Sequence, residues 1–312
     1  MPAGQPFTRL CQQLAHLRAE SNRADLHLHS CHSDGAWSAT EIVARAARRG
    51  LGAMAITDHD TCSGIAEAQS AAQSCYPAME IVPGVEITCE HHGREMHLLG
   101  YFFQIDDANL NFALAKLREQ RLQRFREMVD RLPALGVTAD RQAVESRIAA
   151  GRALGRFDVA ALLVQSGKAR SVTEAITRFL RDGGPVIVPK RCLPVAEALR
   201  LVRRAGGVCS WAHPPVDLTL EAALELREMG LHAIEAEYPA FTRTTSLRLR
   251  ELANASNLAV SGGSDCHGPT PTTRAIGTRA ISRDDLEKLR QLHLSMEKLK
   301  EDPGPKRDAD QR

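Results

Sequence analysis

The stretch Asp25-Leu26-His27-Leu28-His29-Ser30 limits what this chain can fold into more than any other. Its histidines alternate with leucines, and strand side chains have a period of two. A strand here therefore sends both imidazoles to one side and both leucines to the other. Two imidazoles on one face are half of a metal site. The pattern is short enough to arise by chance, so its weight depends on what the rest of the chain brings to meet it.

The same grammar recurs: a short apolar run, then polar residues of metal-ligating type. Ala53–Ile56 runs into Thr57-Asp58-His59-Asp60, and Val208–Ala212 into His213-Pro214. Leu258–Ser261 leads to Gly262-Gly263-Ser264-Asp265-Cys266-His267. Glu80–Thr88 carries Glu86, Glu95–Tyr101 carries His97, and Ala233–Ala236 is a further strand. Between these runs lie helical segments. One opens at Ser38, with Glu41 three residues on as a capping box, and stops at Gly50. Others span Ser63–Cys75, Pro194–Ala205 and Leu220–Met229, another ends near Asn257, and Ser282 with Asp285 caps the last. This alternation predicts an α/β architecture with a parallel sheet and its chemistry at the strand C-termini.

The rhythm breaks over 106–182, a polar, helix-patterned stretch with a stop at Leu132-Pro133 and Gly136. The predicted organisation is a polar extension over 1–22 with a short helix around Leu10–Leu17, a barrel's first part over 23–105, and a helical insertion subdomain over 106–182. A second barrel part with its C-terminal helix follows over 183–300, resuming with a strand at Pro185–Pro189, and 301–312 is a flexible tail. Eight cysteines without a CxxC pair indicate neither a disulfide scaffold nor a thiolate zinc site. With no signal-peptide pattern and no apolar run near the roughly 20 residues that span a bilayer, the expectation is a cytoplasmic protein without a membrane partner. A net charge of +2 is too mild for a general nucleic-acid coat. The 33 arginines against 7 lysines decide nothing alone, although arginine suits bidentate phosphate binding.

His27, His29, Asp34, His59, Glu86, His97, His213, Asp265 and His267 thus form a set of nine nitrogen or oxygen donors on or just beyond predicted strand ends. Nine exceed what one ion takes and suit two or three divalent cations, with carboxylates such as Glu86 and Asp265 as bridges. The donor types favour Mn, Fe or Zn without choosing among them. Each residue has a plainer alternative: His97 as a core histidine, His213 as a strand end, Asp34 as a turn former. His32, His91, His92, His232 and His293 are assigned to surface or core, Asp58 to orienting an imidazole or a strand end, and Cys31 and Cys266 should point away.

Taken together, DLHLHS with SDG after it, AITDHD, GVEIT, EMHLLGY, WAHP and SDCHG resemble the PHP (polymerase and histidinol phosphatase) family from residue 24 to about 281. The HLHS, TDHD and SDCHG wording with a helical insertion is similar to its bacterial subgroup of RNase AM and 3′,5′-nucleoside bisphosphate phosphatases. The resemblance implies a distorted (β/α)7 barrel with an inserted helical subdomain and a trinuclear site built from the nine residues. It also implies three divalent cations per chain, manganese first with Fe, Zn or Mg as alternatives, and phosphate capture by arginines of the insertion. Arg121, Arg124 and Arg156 are the candidates for a second phosphate. Asp158 stands where an imidazole is expected to face a phosphate, and weakens anion binding unless it only caps its helix.

The expected activity is hydrolysis of 3′,5′-nucleoside bisphosphates to 5′-monophosphates, or 5′-to-3′ degradation of short 5′-phosphorylated RNA, with no obligatory protein partner. A metal-bound water with its pKa lowered to about 7 supplies hydroxide, so no protein nucleophile is required. Histidinol phosphate hydrolysis competes, but an arginine-rich insertion is an odd choice for a cationic substrate. An amidohydrolase would need a bridging lysine on a middle strand, and Lys116 and Lys168 both fall in predicted helices. A metal-loaded nucleic-acid module without turnover is the non-enzymatic alternative.

Overall fold

The computed structural model describes residues 22–149 and 152–301. The helix expected around Leu10–Leu17 and the tail from 302 onward lie outside these residues. Along the chain come β1 (Arg23–Leu28), β2 (Ala53–Ile56), β3 (Glu80–His91), β4 (Arg94–Tyr101), the two-residue β5 (Leu193–Pro194), β6 (Val208–Trp211), β7 (Ala233–Glu237), β8 (Ala259–Gly262) and the two-residue β9 (Ile281–Ser282). They pair in the order β8-β7-β6-β4-β3-β2-β1-β9, with β5 added alongside β3. A parallel bridge from Leu28 to Cys266, with the His29 amide donating to the Cys266 carbonyl at 3.0 Å, curls the sheet into a nearly closed barrel.

Helices α1 (Ala39–Arg48) and α2 (Ile65–Cys75) cover one side, and α7 (Val195–Arg204), α8 (Leu220–Met229), α9 (Arg243–Ala255) and α10 (Arg283–Glu301) follow the later strands. The expected capping box is present at α1: Ser38 Oγ accepts from the Glu41 amide, and Glu41 accepts from the Ser38 amide. Ile42, Val43 and Ala46 on the buried face of α1 pack with Leu28, Met54 and Ile56. Leu26 instead joins the main core, beside Val85, Ile87, Leu98 and Leu99.

The sheet is mixed rather than parallel. β4 runs antiparallel to both β3 and β6. The cause is a tight hairpin: His91 pairs with Arg94 across His92-Gly93, whose φ angles of 50° and 70° provide the twist that suits a two-residue turn. The strand expected at Pro185–Pro189 is absent. Both prolines lack a ladder donor, and Val186 and Val188 are buried against helices instead. The strand pairing comes later, where Cys89 aligns with Leu193.

The helical stretch comprises α3 (Ala108–Asp130), α4 (Arg141–Ala149), α5 (Arg156–Gln165) and α6 (Val172–Phe179). Gly136, at φ 71°, ends the turn that follows α3. α3 serves two cores: Leu110, Leu114 and Leu117 pack on the barrel, while Phe125 and Met128 join Val159, Leu163 and Phe179 in a separate cluster. Its intermediate turns are thereby fixed over the rim of the barrel.

Candidate metal centre and active site

All nine predicted donors arrive at one mouth of the barrel. His27 is in β1 and His29 just past it, and their ring centroids are 5.2 Å apart, as alternate positions require. His59 follows β2, His213 follows β6, and Asp265 and His267 follow β8, whereas Glu86 and His97 lie within β3 and β4. Asp34 sits in the turn after β1, with one oxygen 3.3 Å from His267 Nε2. Two glycines let the loops close on the end of β1: a Cβ on Gly263 would sit 2.4 Å from the His27 nitrogen, and one on Gly35 would sit 2.1 Å from the His29 oxygen.

Glu86 is the hub. Its Oε2 lies 3.4, 3.2 and 3.1 Å from nitrogens of His27, His29 and His59. Its Oε1 lies 2.9 Å from His97 Nδ1 and 3.2 Å from His213 Nε2. Asp265 Oδ1 is 3.2 Å from His29 Nε2 and 3.5 Å from His27 Nε2. His213 and Asp265 hold positive φ angles of 32° and 49°, a strained backbone of the kind that concentrates at functional sites.

His27 Nε2, both ring nitrogens of His29 and His59 Nδ1 are buried without an aligned hydrogen-bond partner. Burying such atoms is costly unless something engages them, and imidazole with carboxylate suits divalent transition metals. The residues therefore fit a metal cluster. Three overlapping groups have donor atoms within 4.8 Å of one another: His29-Asp34-His59-His267, His27-His29-Asp265 and His59-Glu86-His97.

The local field is set by this crowding. Burial disfavours charge on His29, but its contacts with Asp265 and Glu86 outweigh burial and raise its pKa to about 10. His97 is also buried, yet Glu86 and Glu95 raise it to about 9. His59 falls to about 3, because burial prevails over Glu86 and Asp34 while His29 and Arg121 add positive charge nearby. Burial pushes the Glu86 and Asp265 carboxyls up, and the surrounding imidazoles override it to hold both well below the usual range.

A supporting layer fixes the rings. Glu235, fully buried in β7, takes a 2.9 Å contact from His27 Nδ1 and accepts from the His213 amide. With Nδ1 engaged, His27 turns Nε2 toward the cluster. His267 Nδ1 meets the Asp265 carbonyl at 2.9 Å, which likewise leaves its Nε2 for the site. Tyr238 and Arg274 both bond Asp265 Oδ2. Asp58 accepts from the Ser30 amide and from the Ser30 and Ser33 hydroxyls, so it braces the end of β1 and, among the described residues, bonds no imidazole. Sequence reasoning missed Glu235; the available signal was an acid inside the buried strand Ala233–Glu237. Glu235→Gln is expected to weaken metal retention about 10- to 100-fold, the usual cost of losing an outer partner of a ligand. Unchanged metal content after dialysis would reject that role.

The three predicted arginines part company. Arg121 reaches the rim, donating to Asp60 Oδ2 at 2.5 Å and Thr88 Oγ1 at 2.9 Å, and Arg118 donates to the Asp60 carbonyl. Arg124 donates through Nε to the Val188 carbonyl, and its neighbours around a small crevice include Arg121, Lys190 and Arg191. Arg156 is exposed on the first turn of α5, outside that crevice but close enough to repel Arg124. Asp158 accepts from the Gly155 amide at 2.8 Å and so caps its own helix. Lys190, which sequence reasoning passed over, pairs with Glu95, and Glu95 in turn meets His97 Nε2 at 3.2 Å. The basic crevice and the imidazole cluster are therefore adjacent. On the other flank Arg152 bonds the Asp34 carbonyl. The remaining histidines among the described residues lie elsewhere: His32 meets Glu67, His91 and His92 meet Glu225, His232 accepts from the Cys209 amide, and His293 meets the Gly206 carbonyl.

A barrel of seven principal strands with imidazoles and carboxylates gathered at one mouth defines a metal-site α/β barrel. The chain belongs to the PHP domain family, whose sequence pattern matches residues 25–182. It is 31% identical over 254 residues to the 5′-3′ exoribonuclease Rnm of Escherichia coli, covering 79% of this chain and 86% of that protein. It is 30% identical over 258 residues to the 3′,5′-nucleoside bisphosphate phosphatase of Chromobacterium violaceum, covering 81% and 90%. A crystal structure from Bifidobacterium adolescentis, described as a metal-dependent phosphoesterase, superposes with a TM-score of 0.75 at 26% identity over 85% of this chain and 94% of that one. No helix among the described residues is long and apolar enough to cross a membrane.

Proposed function

We propose that this chain is a metal-dependent phosphoesterase that converts 3′,5′-nucleoside bisphosphates to nucleoside 5′-monophosphates and degrades short 5′-phosphorylated RNA in the 5′-to-3′ direction. The observation that carries the reading is adjacency: the crevice of Arg121, Arg124, Lys190 and Arg191 is joined to the imidazole–carboxylate cluster through Glu95, which meets both Lys190 and His97. A substrate with two phosphates finds two places for negative charge. The named activities of the two relatives point the same way.

The nine donors would hold the cations, and three overlapping groups support three of them, with manganese first and iron, zinc or magnesium as alternatives. Divalent cations there supply Lewis acidity, lowering the pKa of water and neutralising phosphate oxygens. The chain's own part is orientation. Glu235 and the Asp265 carbonyl set the ring tautomers of His27 and His267, and Tyr238 and Arg274 hold the outer oxygen of Asp265. Arg124 and Arg121, with Arg156 nearby, offer planar donors to the 5′-phosphate and so fix the distance from that group to the bond that breaks.

Assay of the manganese-loaded protein on adenosine 3′,5′-bisphosphate, 5′-phosphorylated RNA, 5′-hydroxyl RNA and histidinol phosphate tests the reading. Turnover of the first two is expected. Turnover of histidinol phosphate alone would overturn it, as would RNA binding without hydrolysis. The raised pKa values of His29 and His97 mean that both carry protons below pH 9 in the metal-free protein, and metal must displace those protons. Apparent metal affinity is therefore expected to rise with pH through about 9, and loading at pH 7 to release protons. Calorimetry in two buffers of different ionisation heat measures the release, and zero net release would contradict the assignment.

A further inference from the structure

Beside the site, but separate from the crevice just described, lies a cleft of about 440 Å³ lined by Trp37, Arg45, Arg48, Arg49, Ala275 and Ile276. Three arginines and an indole line it, with no carboxylate among them. The Arg45 guanidinium carbon stands 4.0 Å from the Trp37 ring centroid, and Arg45 Nε is buried with no hydrogen-bond partner. Arg48 and Arg49 are exposed at the end of α1. Basic residues in a last helical turn have an ordinary role in offsetting the helix dipole. That role requires neither an aromatic ring under one of them nor a cleft facing them.

Both walls of the cleft run directly into the metal-centre loops. On one side, Trp37 is three residues beyond Asp34, its carbonyl accepts from the Cys31 amide, and the neighbouring Ala36 amide donates to the His267 carbonyl at 2.7 Å. On the other, Ala275 follows Arg274, which pairs with Asp265. A chain leaving the metal centre over this side of the rim passes from ligand-bearing loops onto cationic and aromatic surface.

We propose that this cleft is an exosite for single-stranded RNA, holding nucleotides downstream of the one being hydrolysed. The inference rests on the phosphoesterase reading and adds to it a reason for the enzyme to prefer oligonucleotides to mononucleotides. Arginines that track phosphates and flat groups that stack bases bind single strands without sequence preference. An acidic peptide would satisfy the same cations but would gain nothing from the stacked indole and guanidinium.

The test compares the KM of the full-length, manganese-loaded protein for 5′-phosphorylated RNA of two, four and eight nucleotides with that for adenosine 3′,5′-bisphosphate. Trp37→Leu and Arg49→Glu are each expected to raise the KM for the eight-nucleotide substrate about tenfold. Neither should change the KM for the bisphosphate. Arg49→Glu should also flatten the salt dependence of the longer substrate. Trp37 is half-buried, so the exposed Arg49 serves as the variant whose folding is not in question. Loss of neither length preference nor salt slope overturns the exosite, as does an equal loss on the bisphosphate. If the unmodified protein hydrolyses no nucleotide, the phosphoesterase reading fails first. Fluorescence anisotropy with labelled eight-nucleotide RNA then decides the cleft alone: weaker binding by both variants supports it, and unchanged binding, or equal binding of an oligoglutamate peptide, overturns it.

Discussion

Glu86→Gln is expected to lower phosphoester turnover by about 10³-fold or more and to strip the protein of most of its metal. Glu86 is buried, and its two oxygens stand within 3.4 Å of ring nitrogens from five histidines. An amide keeps the shape but removes the charge that balances those rings and any cations among them, and it places an N–H where one of the acceptors was. The loss should not resemble unfolding, because Glu86 sits in the part of β3, Gly84 to His91, that is paired continuously to β4. Elemental analysis and circular dichroism on one preparation distinguish the cases. A folded variant with unchanged metal content would show that Glu86 does not anchor the centre.

Arg124→Ala is expected to cost about 10²-fold on 5′-phosphorylated substrates relative to 5′-hydroxyl ones, the scale for a charged contact that acts in the transition state. The ratio matters more than either rate, because the side chain also donates to the Val188 carbonyl and its removal perturbs packing for both substrates alike. Arg121→Ala makes the internal contrast. Arg121 offers a donor to the same phosphate but also braces Asp60, the neighbour of His59, so its loss should lower metal content as well, which Arg124→Ala should not. Equal losses on the two RNA ends in Arg124→Ala would remove it from 5′-phosphate recognition.

Much of this centre was legible because each contributing segment carries its own local signal. Alternating His27 and His29 could face one side only, and polar residues just beyond buried strands had one mouth at which to meet. What escaped the sequence depended on partners distant along the chain. The sequence pattern makes His97 one more strand-end donor on a parallel sheet, whereas it enters from a strand that runs the opposite way, and the His92-Gly93 turn responsible is a weak hairpin signal. Glu235 carried no mark of its own, since the strand Ala233–Glu237 also bears Glu237 at the alternate position, and only the placement of His27 and His213 against Glu235 tells the two acids apart. The arginines of α3 follow no stripe that ranks them; only docking on Asp60, Thr88 and the crevice separates Arg121 and Arg124 from Arg156.

The reversed direction of β4 has a further effect. Because that strand descends, its exit at Tyr101 lies at the far end of the barrel from the imidazoles, and α3, 23 residues long and so about 34 Å in length, climbs back to set Arg121 on the rim. Residues 102–192 therefore form an excursion inserted between strands that zip to each other regardless of it, since β4 and β6 are direct neighbours. Exchanging that excursion for another of different length would leave every long ladder of the sheet closed. On the proposed reading, the arginines set over the rim and the nine donors lie on different stretches of polypeptide, tied together where Arg121 holds Asp60 and Arg152 holds the Asp34 carbonyl.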